Sequence, residues 1–80
     1  MVSTLINKAR NIVVTITLRS SGKHFCGKII DYDEYFAEVF VKVNEESGEY
    51  AHDCKPYNGE MKGWREDRVL VNIQDISIIA

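Results

Sequence analysis

Between Gly22 and Phe40 the chain runs GKHFCGKIIDYDEYFAEVF. Gly27 falls inside a run of β-forming residues, and Asp33–Glu34 interrupts the apolar pattern shortly afterwards. A glycine within a strand marks a sharp bend or the close approach of another segment. Aspartate between two apolar runs marks a tight connection between antiparallel strands. The stretch therefore predicts a bent strand, a short turn and a return strand. Bent strands of this kind build small, highly curved barrels.

The flanking sequence supplies the remaining elements. Ser3 can cap a short helix with Leu5, Ile6 and Ala9 on one side and Lys8 and Arg10 on the other, stopped at Asn11. Two turns of helix persist only when the apolar side docks on something. Ile12, Val14, Ile16 and Leu18 then alternate with Val13, Thr15 and Thr17, a half-buried strand rich in β-branched residues. Ser20–Ser21–Gly22 predicts a hairpin turn. The second strand is expected over about 23–32 and the third over about 35–43. Residues 44–67 hold the only proline and many acids, and read as a long solvated excursion with a hairpin at Asn58–Gly59. Two short strands, about 68–73 and 76–79, close the chain.

Eighty residues allow one domain, expected to run over the whole of 1–80, with a core small enough that partner subunits would help it. The last strand, with Ile76, Ile78 and Ile79, carries no gatekeeping lysine or proline. An exposed edge of that kind aggregates unless it is paired, within its own barrel or with a neighbour. No apolar run approaches the length of a membrane helix, so no membrane partner is expected. Cys26 and Cys54 make a poor disulfide framework; without a signal-peptide pattern they read as reduced thiols in a cytoplasmic protein. Net charge is −2, which by itself argues against strong nucleic-acid binding. Its distribution is uneven. Residues 1–30 carry Lys8, Arg10, Arg19, Lys23 and Lys28 and no acid, whereas 31–80 carry twelve acids against five bases. Such a split can place a basic face on one side of a domain.

A short leading helix, five strands and the pattern Gly22-x4-Gly27-x-Ile29-x-x-Tyr32-Asp33, with Phe25 before the second glycine, resemble the Sm-like (LSm) family. The resemblance spans most of 3–43 and 68–79. It implies an all-β fold: a strongly bent five-stranded small barrel with an N-terminal helix, assembled into a homo-oligomeric ring. The fourth strand of one subunit would pair with the fifth of the next, through Val69, Val71, Ile73, Ile76 and Ile78. It further implies a non-enzymatic protein binding single-stranded RNA as a chaperone or scaffold. Tyr35 would stack on a base and Asp33 would orient its loop, with Lys8, Arg10, Arg19, Lys23 and Lys28 contacting phosphate. One position and one pair depart from the family. Ala37 stands where an asparagine contacts the base edge, and Asn72–Ile73 replaces an Arg-Gly pair. Alanine donates no hydrogen bond there, and asparagine offers no charge to phosphate. The competing expectation is an oligomeric protein-interaction scaffold that has lost nucleic-acid binding.

Other constellations are weaker. His24-x-Cys26 and His52-x-Cys54 are matching doublets, and alternate residues of a strand face the same way. Their spacing is not that of structural zinc, so no metal or cofactor is expected. Asp31, Asp33 and Glu34 are explained by turn chemistry, and no nucleophile–base arrangement is visible. Tyr50, Tyr57 and Trp64 would pin the excursion to the barrel, with Trp64, between Lys62 and Arg65, the best placed for RNA.

Overall fold

The computed structural model describes residues 2–55 and 62–80, with side chains from Ile6 onward. The chain forms a helix, α1 (Val2–Ala9), and five strands: β1 (Val13–Leu18), β2 (His24–Tyr32), β3 (Phe36–Asn44), β4 (Trp64–Asn72) and β5 (Ile76–Ile79). A single 3₁₀ turn, Ile73–Asp75, links β4 to β5. All pairings are antiparallel, in the order β4-β3-β2-β1-β5. The chain is thus a small all-β domain with one short helix. Its sheet is not closed within the chain: β4 and β5 are its two edges.

The core explains the curvature. Ile6 of α1, Ile16 of β1, Ile29 of β2, Val39 and Val41 of β3 and Ile76 of β5 are all buried in one cluster. A flat sheet covered by two turns of helix could not exclude water from that many side chains, so the sheet curls around them. Gly27 is where β3 passes close to β2. A Cβ built there would lie 2.5 Å from Val39 Cγ1 and 3.1 Å from the Phe40 carbonyl oxygen, so only glycine lets β3 approach. A register shift follows between Ile29 and Asp31. The helix ends as the sequence suggests. Asn11 takes a left-handed φ of 66°, and its N–H donates to the Ile29 carbonyl at 2.7 Å, tying the helix stop to β2.

Three expectations change. First, β4 begins at Trp64, several residues earlier than its apolar stretch, and ends at Asn72, which leaves Ile73 in the 3₁₀ turn. The charged residues join the strand because they pair across it: Lys42 Nζ lies 3.0 Å from Glu66, and Arg68 lies 3.0 Å from Glu38 and over the Phe40 ring. The long connection is therefore 45–63 rather than 44–67. Second, part of that connection, around Tyr50–Cys54, returns to the sheet. Past Gly27↔Val41, β2 and β3 diverge and the returning chain fills the gap. Ala51 N–H donates to the Lys42 carbonyl, and Cys26 N–H to that of Ala51, both at 2.9 Å. Tyr50 stacks edge-on against Phe25 at 5.6 Å, as an aromatic pinning the excursion should. The hairpin expected at Asn58–Gly59, and Tyr57, lie outside the described residues.

Third, the cysteines are not reduced thiols. Cys26 and Cys54 form a disulfide with their Cα atoms 5.4 Å apart. Compartment alone does not decide their redox state, because the inserted excursion brings Cys54 to Cys26. The cytoplasmic inference loses that support, since stable disulfides belong to oxidising compartments. Among the described residues no helix is long and apolar enough to cross a membrane.

Candidate functional site

The turn between β2 and β3 is built by Asp33. Its Oδ1 accepts from the N–H groups of Tyr35 (2.7 Å) and Phe36 (2.8 Å), and its own N–H donates to the Phe36 carbonyl at 2.9 Å. Those two backbone donors, Phe36 before Tyr35, hold the Asp33 carboxyl below the usual aspartate range because they favour its charged form. The result is a fixed turn that thrusts Tyr35 outward, 63% exposed. Tyr35 in turn accepts through its carbonyl from the Ile73 N–H at 2.9 Å. The aromatic therefore stands beside the 3₁₀ turn that joins β4 to β5.

That turn is held from both sides. Asn72 caps it, its Oδ1 accepting from Gln74 N–H at 2.9 Å. Asp75 accepts from the Ser20 N–H (2.7 Å) and hydroxyl (2.8 Å), and the Arg19 N–H donates to the Asp75 carbonyl. Arg19 Nε also donates to the Gln74 carbonyl at 3.3 Å. Asp33, Tyr35 and Arg19 thus share one side of the domain, joined through residues 72–75. The side-chain oxygen of Asn72 is engaged as a cap. Asparagine opening a short turn was a readable signal for that role.

The other expected site residues disperse. Lys8 lies in the last turn of α1 and Arg10 just beyond it, before β1, and Arg10 pairs with Asp31 at 3.6 Å while donating to the Ile30 carbonyl. Lys23 lies exposed at the opposite end of β1, about 20 Å away at the rise of an extended strand. Lys28, half-buried in mid-β2, pairs across to Val13 and Phe40. The five bases form no single face. Ala37 is fully buried opposite Val71, so it contributes only to the core. Beside the turn, Asp31, Asp33 and Glu38 line a depression of about 150 Å³ with Tyr32, Phe36 and Leu70. No known family, curated protein or solved structure matches this chain.

Of the expected interface residues, Val69, Val71 and Ile73 are half-buried against the core, and Ile78 is 56% exposed. Ile76 differs: at 1% exposure its side chain belongs to the core of its own chain. On β4, exposed charges occupy Arg65–Arg68 and apolar residues occupy Val69–Val71, with Leu70 67% exposed. A larger cavity of about 530 Å³, which sequence reasoning missed, opens between the β1–β2 turn and the excursion. Leu18, Phe25 and Tyr50 line it with His24, His52 and Glu49.

Proposed function

We propose that the chain is a divergent Sm-like protein that assembles into a homo-oligomeric ring through its two open sheet edges and binds single-stranded RNA as a non-enzymatic chaperone or scaffold. The observation that carries the reading is the pair of edges. β5 is four residues long, Ile76–Ile79, and the stretch of β4 free of charge, Val69–Asn72, is also four. Charges on Arg65–Arg68 guard the rest of β4 against indiscriminate pairing. Matched unguarded edges on one small domain favour partnership with further copies of the chain.

Support for RNA comes from Tyr35, an exposed ring on a preorganised turn, with Arg19 on the same side. A base stacked on such a ring gains about 1–3 kcal/mol with little preference among bases. Repetition around an assembly would multiply weak contacts. A protein-interaction scaffold remains the second reading, favoured by the carboxylates of Asp31, Asp33 and Glu38 beside Tyr35. The test is titration of labelled uridine-rich, adenine-rich and mixed single strands at two salt concentrations. RNA binding predicts an affinity that falls with salt and drops about ten-fold in Tyr35→Ala, as loss of one stacked base would give. Absence of binding at low salt, or indifference to Tyr35→Ala and Arg19→Glu, sinks the RNA reading and leaves the scaffold.

A further inference from the structure

The matching His-x-Cys doublets are brought together by the fold. Cys26 and Cys54 meet in the disulfide, and the rings of His24 and His52 lie 6.1 Å apart between centroids, edge to face. Each histidine is two residues from its cysteine, and on β2 that spacing puts His24 and Cys26 on the same face. Cys26 is fully buried, Cys54 half-buried and both histidines exposed. While the sulfurs are bonded to each other, no three donor groups among the described residues are placed to hold an ion.

We propose that, once the disulfide is opened by a dithiol reductant, His24, Cys26, His52 and Cys54 form a four-coordinate zinc site that replaces the disulfide as the clasp of the excursion. The chemistry balances in two steps. The dithiol gives two electrons and two protons to the Cys26–Cys54 bond and leaves as its own disulfide, yielding two thiols. Zinc then binds both sulfurs as thiolates, with release of two protons.

The geometry asks for little movement. Thiolates bound at about 2.3 Å in a tetrahedron stand about 3.8 Å apart, a separation that side-chain rotation supplies from Cα atoms already within disulfide range. Imidazoles bound through nitrogen at about 2.0 Å would hold their centroids about 5 Å apart, close to the spacing already present. Two thiolates with two imidazoles suit tetrahedral zinc better than the hard cations, which take oxygen ligands. The doublets' unusual spacing is no obstacle, because one doublet lies on a strand and the other on the segment inserted beside it.

The experiment loads the full chain with zinc after reduction by a phosphine, which takes its oxygen from water and competes poorly for the metal. Cobalt(II) serves as the spectroscopic stand-in. The expected result is one ion per reduced chain, with the intense visible bands of tetrahedral cobalt and thiolate-to-cobalt charge transfer, and no comparable binding to the oxidised chain. His24→Asn and His52→Asn lie at exposed positions and should leave the oxidised fold unchanged, which circular dichroism checks. Each should weaken zinc by about ten-fold or more, since loss even of a supporting group costs that much. Equal affinity in the oxidised and reduced states, an octahedral cobalt spectrum, or histidine variants that bind as the reduced parent does would each overturn the proposal.

Discussion

Replacing Cys54 with alanine should remove a large part of the domain's stability, and the size of the loss follows from chain entropy. The disulfide joins residues separated by 28 positions. Closing a loop of that size in the unfolded chain lowers its entropy by about 12 cal/mol/K, or about 3.6 kcal/mol at 25 °C. An 80-residue domain has a net stability of about 4–12 kcal/mol, so the bond is worth roughly a third of it or more. Cys54 is the better partner to change. It is half-buried, so little cavity results, whereas Cys26 is fully buried and its truncation would add a packing cost. The assay is urea denaturation by circular dichroism at one fixed protein concentration, with a chelator present throughout. With a urea slope of about 1 kcal/mol per molar, the midpoint should fall by about 3.6 M, and reduced wild type should follow the variant. If the variant and reduced wild type both lie within about 1 kcal/mol of the oxidised protein, the loop-closure reasoning is wrong.

Further outcomes follow from individual residues. Gly27→Ala forces a methyl group against Val39 and the Phe40 carbonyl, and should cost about 1–3 kcal/mol in the same denaturation experiment. At the β5 edge, Ile78→Asp should lower the sedimenting mass while circular dichroism stays native. Ile76→Asp should instead abolish folding, because it buries a carboxylate in the core. Asp33 has a depressed folded-state pKa, so its stabilisation of the turn is present above the unfolded value and lost as pH falls through the folded one. Amide NMR shifts of Tyr35 and Phe36 should therefore titrate together with a midpoint below the usual aspartate range; a midpoint at or above that range would contradict the hydrogen-bond explanation.

Much of the fold was legible because local signals agreed with global ones. The alternation over Val13–Leu18, the close approach at Gly27, the turn at Asp33 and the stop at Asn11 each follow from residue chemistry acting over a few positions. What was not legible depends on tertiary placement. Arg65–Asp67 looks like a loop until β3 is found across from it, with Lys42 opposite Glu66. The excursion's return between β2 and β3 is fixed by backbone hydrogen bonds at Ala51, which no side-chain pattern announces. The disulfide and the meeting of the two histidines both follow from that return. Their only trace in the sequence was the repetition of the doublet itself. Likewise the side of the domain shared by Tyr35 and Arg19 exists only because a three-residue turn spans between them.

That turn has a consequence for symmetry. In the assembly proposed above, each copy offers β4 to one neighbour and β5 to the other, a head-to-tail contact between unlike surfaces. Contacts of that type close into a ring only when the rotation per copy divides a full circle, and otherwise propagate as a filament. The rotation depends on how β5 is aimed relative to β4, and along the chain only residues 73–75 separate them. The bonds from Asp75 to Ser20 and from Asn72 to Gln74 then act as the angular stop of the polymer. Loosening them would leave each domain folded and change what the copies add up to, from a closed ring to an open helix.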